Sequence, residues 1–137
     1  MKAFYVLFLC SISLGIMAQG SSLKVVNNTN CSFIIKATAY DSLCEESCQS
    51  GIYCVMPNDS IYLPPCQDST FKWDVVKISP GANDCESEPC SGGDQPTLSS
   101  PYSHGCKEFA TTVTDAEHCA GCNFSASFFG PYILRIH

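Results

Sequence analysis

Two cysteines spaced C-x-x-C, Cys119 and Cys122, are the nearest approach to a catalytic motif in this chain. A redox-active pair of that spacing needs its first thiol at a helix N-terminus, where the helix dipole stabilises the thiolate. The local helix signal, Thr114-x-x-Glu117, resembles a capping box and would put both cysteines at the far end of its helix. Gly121 suits the cap after such an end. A thiolate is disfavoured there, so dithiol redox chemistry is not expected. A c-type haem site needs a histidine after the second cysteine, whereas His118 precedes the first. Zinc at His118, Cys119 and Cys122 would need ligands from elsewhere in the chain, and an oxidising compartment favours disulfides instead. Both cysteines are therefore expected to act as structural staples.

Other chemistries find less support. Asp84, Glu86 and Glu88 gather carboxylates of the kind calcium takes, but without EF-hand spacing or glycine, and Cys85 lies among them. They read as a solvated acidic loop. The histidines are His104, His118 and His137, and no serine sits in a G-x-S-x-G turn. Carboxylates are numerous, yet no spacing picks out a glycosidase-like pair. Trp73, the only tryptophan, stands mid-strand beside Phe71 and reads as core rather than as a ligand-stacking platform. No catalytic, cofactor-binding or metal-binding residue is assigned, no cofactor is expected, and the chain is read as a non-enzyme.

What must position these residues starts from export. Lys2, the apolar run from Phe4 to Ile16 and the small residues Ala18 and Gly20 form a secretory signal peptide over residues 1–20. Cleavage after Ala18 and after Gly20 are both compatible with it. The apolar run is too short for a membrane span, and no second one follows. Residues 21–137 then form a single Cys-rich domain, secreted or cell-surface, periplasmic or extracellular if bacterial. Setting Cys10 aside leaves ten of the eleven cysteines: Cys31, Cys44, Cys48, Cys54, Cys66, Cys85, Cys90, Cys106, Cys119 and Cys122. An even number in a small exported domain reads as a disulfide framework. All ten are expected to pair, with Cys85–Cys90 the favoured bridge because few residues separate them.

The net charge of −6 becomes −7 once Lys2 is removed, and no basic run exists. Nucleic acid and anionic membrane are therefore not expected as partners. Sequons place candidate N-glycan acceptors at Asn27, Asn30, Asn58 and Asn123, which in a eukaryotic secretory route would lie on exposed loops.

The domain reads as strands. Residues 31–40 alternate, with Cys31, Phe33, Ile35, Ala37 and Ala39 on one face. Residues 23–26 run into an Asn-rich turn at 27–30, which suggests an opening hairpin. Residues 53–56 and 61–63 flank a turn at Pro57-Asn58-Asp59-Ser60. Residues 71–75 alternate, and the change of phase at Val75-Val76 hints at a bulge. Residues 124–128 and 132–136 alternate on either side of Gly130-Pro131. Helix signals are confined to two short capping boxes, Ser42-x-x-Glu45 and Thr114-x-x-Glu117. The Pro-, Gly- and Ser-rich stretch 79–105 reads as a long loop. Seven or eight short strands with turn signals between them predict an all-β, disulfide-stapled antiparallel β-sandwich, with a small β-barrel as the alternative.

The segment from Val26 to Ala39, the turn at Val55-Met56-Pro57-Asn58-Asp59-Ser60, the strand Trp73-Asp74-Val75-Val76-Lys77-Ile78 and the closing C-x-x-C plus strand resemble small secreted Cys-rich β proteins of the Bacteroidota type. That family has no agreed function, so no functional residue is carried over. The resemblance implies a periplasmic or cell-surface protein and argues against glycans. The expected function is extracellular binding or a structural surface role. The partner would be an extracellular protein, a glycan or another copy of the chain. The alternative is a secreted effector or inhibitor that acts on a host or competitor protein through the 79–105 loop.

Overall fold

The computed structural model describes residues 21–66, 69–81 and 90–137. The expected signal peptide at 1–20, Cys85 and the expected acidic loop at 83–88 lie outside the described residues.

Ten strands form two sheets: β1 (Leu23–Asn27), β2 (Phe33–Tyr40), β3 (Ser47–Gln49), β4 (Tyr53–Val55), β5 (Ser60–Leu63), β6 (Lys72–Pro80), β7 (Thr97–Ser99), β8 (Thr112–Glu117), β9 (Asn123–Phe128) and β10 (Ile133–Ile136). The first sheet runs β5-β1-β10-β9-β8 and the second β3-β2-β6-β7, with β4 also paired to β2. The antiparallel sandwich expected from the alternations is the fold, with one exception to its strand direction. β1 and β10, near the two ends of the domain, lie side by side in parallel, with Lys24 opposite Ile133 and Asn27 opposite Ile136.

The expected inward face of β2 is the observed one: Cys31, Phe33, Ile35, Ala37 and Ala39 are all buried. They meet Leu23 and Val25 of β1, Phe124, Ala126 and Phe128 of β9, and Leu134 and Ile136 of β10 in a single core. Removing this apolar surface from water is the main force holding the sheets together, at roughly 25 cal/mol per Å². Trp73 belongs to the same core and is 3% exposed.

Four expectations need correction. The first concerns the opening hairpin: β1 and β2 do not pair, because the turn after Asn27 carries the chain from one sheet to the other. The turn at residues 57–60 does the same between β4 and β5. Second, no helix forms among the described residues. Thr114 and Glu117 lie in β8, which carries a bulge where Thr114 and Asp115 face a single residue of β9, and Asp115 takes a left-handed φ of 52°. At Ser42-x-x-Glu45 a tight turn replaces the helix, because the carboxylate of Asp41 collects the amides of Glu45 and Glu46, each at 2.9 Å. These donated bonds, that of Glu46 first, hold the Asp41 carboxyl below the usual carboxylate range.

Third, the stretch 79–105 is not one loop. It contains β7, whose Leu98 is fully buried and whose residues pair with β6. Fourth, the bridge at Cys85–Cys90 is not made, since Cys90 joins Cys119. The remaining defined bridges are Cys31–Cys122, Cys44–Cys106 and Cys48–Cys66, and Cys54 is also disulfide-bonded.

The bulge expected near Val75-Val76 falls at Asp74. Thr38 faces Val75 and Ala39 faces Trp73, which leaves Asp74 as the extra residue. The sandwich stays open rather than closing into a barrel. β7 does not pair with β8; Leu98 bridges instead to Ala110, in the chain leading into β8. Among the described residues no helix is long and apolar enough to cross a membrane.

Candidate functional site

Strand registers sort the loops into two ends. β1 and β10 point the same way and β2 starts where β1 stops, so residues 28–32, 56–59, 118–122 and His137 gather at one end. The loops around residues 41–46, 100–106 and 129–132 gather at the other, next to Lys72 and Trp73.

The C-x-x-C segment is at the first end, as the turn of the β8–β9 hairpin. His118 donates its amide to the Cys122 carbonyl at 3.0 Å, and Gly121 donates to the His118 carbonyl at 2.9 Å. Gly121 turns the chain with a φ of 79°, a left-handed value that glycine takes without steric cost. Cys119 and Cys122 are staples, but not to one another. Cys122 reaches Cys31 at the start of β2, and Cys119 reaches Cys90. One hairpin turn thus ties the first sheet to the second.

His118 sits buried between these bridges, within 4.8 Å of the sulfurs of Cys31 and Cys122 on one count and of Cys90 and Cys119 on another. That donor set is used up. All four sulfurs are in disulfides, the ring Nδ1 accepts the Ala120 amide at 2.9 Å, and Nε2 lies 2.8 Å from the Ser32 carbonyl. Since Nδ1 accepts, the ring proton sits on Nε2 and is donated to Ser32. The imidazole also stands edge-on to Phe33, with ring centroids 5.1 Å apart. His118 packs and braces the end. It has no lone pair to offer a metal.

Asn27 is the residue whose role differs most from its sequon. It is fully buried. Its Nδ2 donates to the carbonyls of Cys31 at 2.7 Å and Met56 at 2.9 Å. Its Oδ1 accepts the Thr29 amide at 3.0 Å and the Thr29 hydroxyl at 2.8 Å. Two donors and two acceptors complete what one amide can do. A glycan on this nitrogen would replace one of these two N–H donors and so break a bond to an inter-sheet turn, at a site with no exposed surface. Asn30, Asn58 and Asn123 are exposed at the same end, and Asn58 Nδ2 donates to Asn30 Oδ1 at 3.0 Å.

Asp74 organises the opposite end. Its buried carboxylate accepts the Ser103 hydroxyl at 2.6 Å and the Cys106 amide at 2.9 Å, while its carbonyl accepts the Ser100 amide at 2.7 Å. Only the break in alternation hinted at this role. Ser103 and Asp74 have no histidine partner, because His104 turns to the Thr70 carbonyl at 3.1 Å. No nucleophilic triad forms there. The loop held by Asp74 carries Tyr102, and the Cys44–Cys106 bridge pins it to the 41–46 turn. Removing the carboxylate leaves the part-buried Cys106 amide unpaired and the Ser103 hydroxyl with the Ser100 carbonyl alone, 2.8 Å away, and hydrogen bonds to charged groups contribute about 1.5–3 kcal/mol each. Asp74→Ala is therefore expected to cost about 3 kcal/mol and to lower the melting temperature by roughly 10 °C. A thermal melt of the variant within 2 °C of wild type would refute this account.

Across from Tyr102 the turn between β9 and β10 presents Pro131 and Tyr132. With Lys72 and Trp73 they line a cleft of about 320 Å³. Tyr102 is 47% exposed and Tyr132 40%. Leu43 and Phe129 are also exposed on loops of this end, with Phe109 on its flank. The Trp73 ring is fixed from below, its Nε1–H donating to the Ser21 carbonyl at 2.8 Å.

Fold and sites together define a disulfide-stapled β-sandwich with one cross-braced end and one aromatic end. Its bridges fit an oxidising extracellular or periplasmic setting. No protein-family model, no curated protein and no solved structure matches the chain.

Proposed function

We propose that the chain is an exported, non-enzymatic binding domain that engages an extracellular protein or glycan through its aromatic end. The observation that carries this reading is the pair of half-exposed tyrosines, Tyr102 and Tyr132, facing one cleft from two braced loops. Half-exposed aromatic rings on a rigid mount are poor for solubility and good for binding, because they cover large apolar area with little entropy left to lose. Loops on a fixed scaffold are also where recognition concentrates. The Bacteroidota-type resemblance is in keeping with a periplasmic or surface location.

The test is capture from the native exterior milieu, with the protein immobilised through its C-terminus. His137 exchanges backbone hydrogen bonds with Ser125 away from the aromatic end, so that attachment leaves the cleft open. The Tyr102→Ser/Tyr132→Ser variant is expected to lose capture at least tenfold while melting like wild type. Asn123→Gln, at the opposite end, is expected to retain it. Capture that survives the double substitution would rule out the aromatic end as the binding surface.

A further inference from the structure

The cleft also carries information about its ligand, on the footing that the aromatic end binds. We infer that it takes a sugar ring bearing an anionic group, as in a uronate- or sulfate-containing saccharide. Its volume of about 320 Å³ sits at the small end of ligand pockets, which run from about 300 to 1,000 Å³. That suits a ligand of one or two rings. Two walls are the rings of Tyr102 and Tyr132, and Pro131 stiffens the turn that carries the second. An aromatic face packs against the C–H face of a pyranose, and the phenol hydroxyl at its rim bonds to sugar hydroxyls. Neither tyrosine hydroxyl has a hydrogen-bond partner among the described residues, so both are free for that use.

Trp73 at the base contributes apolar surface only, since its indole N–H is committed to Ser21. The charge comes from Lys72. Among the described residues it is the one charged residue lining the cleft, it is exposed, and it has no ion-pair partner there. An exposed ammonium with no carboxylate among the described lining residues selects an anion and disfavours cationic ligands such as amino sugars. The overall negative charge of the chain makes this local cation the determinant of which acidic ligand can approach.

Trp73 is the only tryptophan of the chain, so its fluorescence reports directly on the cleft. The full domain is titrated with a panel of uronate- and sulfate-bearing oligosaccharides and with neutral oligosaccharides of matching length. A saturable change in Trp73 emission is expected with an acidic member, with its neutral counterpart at least tenfold weaker. Tyr132→Ala is expected to weaken binding at least tenfold, and Lys72→Gln to remove the preference for the acidic ligand, both with unchanged melting temperature. Raising salt from low to physiological strength should weaken the acidic ligand alone. The inference is overturned by any of four outcomes: no acidic saccharide binds, neutral ones bind equally, binding survives Tyr132→Ala, or the face proves to be a self-association surface that Tyr132→Ser abolishes. If saccharides fail while capture still depends on Tyr102 and Tyr132, the ligand class is wrong and the binding end stands.

Discussion

Complete reduction is expected to unfold this protein at room temperature. The four defined bridges close loops spanning 91, 62, 29 and 18 residues, for Cys31–Cys122, Cys44–Cys106, Cys90–Cys119 and Cys48–Cys66. Each disulfide typically contributes ~2–4 kcal/mol, mostly by restricting the unfolded chain. The net stability of an ordinary domain is only ~5–15 kcal/mol, so losing several bridges removes most or all of it. The bridges are also unequal. In the chain-entropy description, Cys31–Cys122 outweighs Cys48–Cys66 by up to about 1.4 kcal/mol because its loop is five times longer. Other bridges shorten its effective loop, which is why that figure is an upper bound.

Position adds to length. Cys31 leads into β2 and Cys122 into β9, inner strands of the two sheets, whereas Cys48 lies on the edge strand β3 and Cys66 follows the edge strand β5. Two measurements check the account. The reduced and alkylated chain should show no cooperative melt, and Cys31→Ala/Cys122→Ala should melt below Cys48→Ala/Cys66→Ala. A reduced chain that melts cooperatively within a few degrees of the oxidised one would mean that the cysteines are kept for some other chemistry.

Sequence pattern revealed what depends on local alternation and missed what depends on who meets whom. The inward face of β2 was legible because each of Phe33, Ile35, Ala37 and Ala39 is apolar and every second residue must point inward. β3 (Ser-Cys-Gln) and β7 (Thr-Leu-Ser) have three residues each, too few to show a period. β8 mimicked a capping box because its Thr and Glu happen to lie three apart, yet the left-handed turn at Asp115 is incompatible with a helix. Proximity in sequence favoured Cys85–Cys90, but the sheets carry Cys90 to Cys119 instead. The cleft joins Tyr102 to Tyr132 across thirty residues, a meeting no local pattern encodes. The buried role of Asn27 was available in principle. Leu23 and Val25 set the inward parity of β1, and Asn27 is the next residue in that series.

Asn27 also supplies the sharpest single-residue test of how the two sheets are joined. Its amide touches the turn from β1 to β2 through Cys31 and Thr29, and the turn from β4 to β5 through Met56. Both turns cross between sheets. Asn27→Asp keeps the shape and removes both N–H donors, which turns a carboxylate toward two carbonyl oxygens in a site without solvent. Losing paired donors while burying an unpaired charge is expected to cost about 3–5 kcal/mol at neutral pH. Asn27→Ala, which leaves the same carbonyls unpaired but buries no charge, should cost less, about 2–3 kcal/mol. The pH dependence separates the two effects. Burial and facing carbonyls raise the carboxyl of Asn27→Asp in the folded state above its unfolded value of about 3.9. Its penalty is therefore full above the folded value, shrinks as pH falls through it, and loses its charge component below the unfolded one. Urea unfolding of wild type, Asn27→Asp and Asn27→Ala at pH 7 and at pH 4.5 gives the comparison. The gap between wild type and Asn27→Asp should narrow at the lower pH, and the gap to Asn27→Ala should stay constant. A loss below 1 kcal/mol for either variant, or equal gaps at both pH values, would mean that Asn27 does not tie the two turns together.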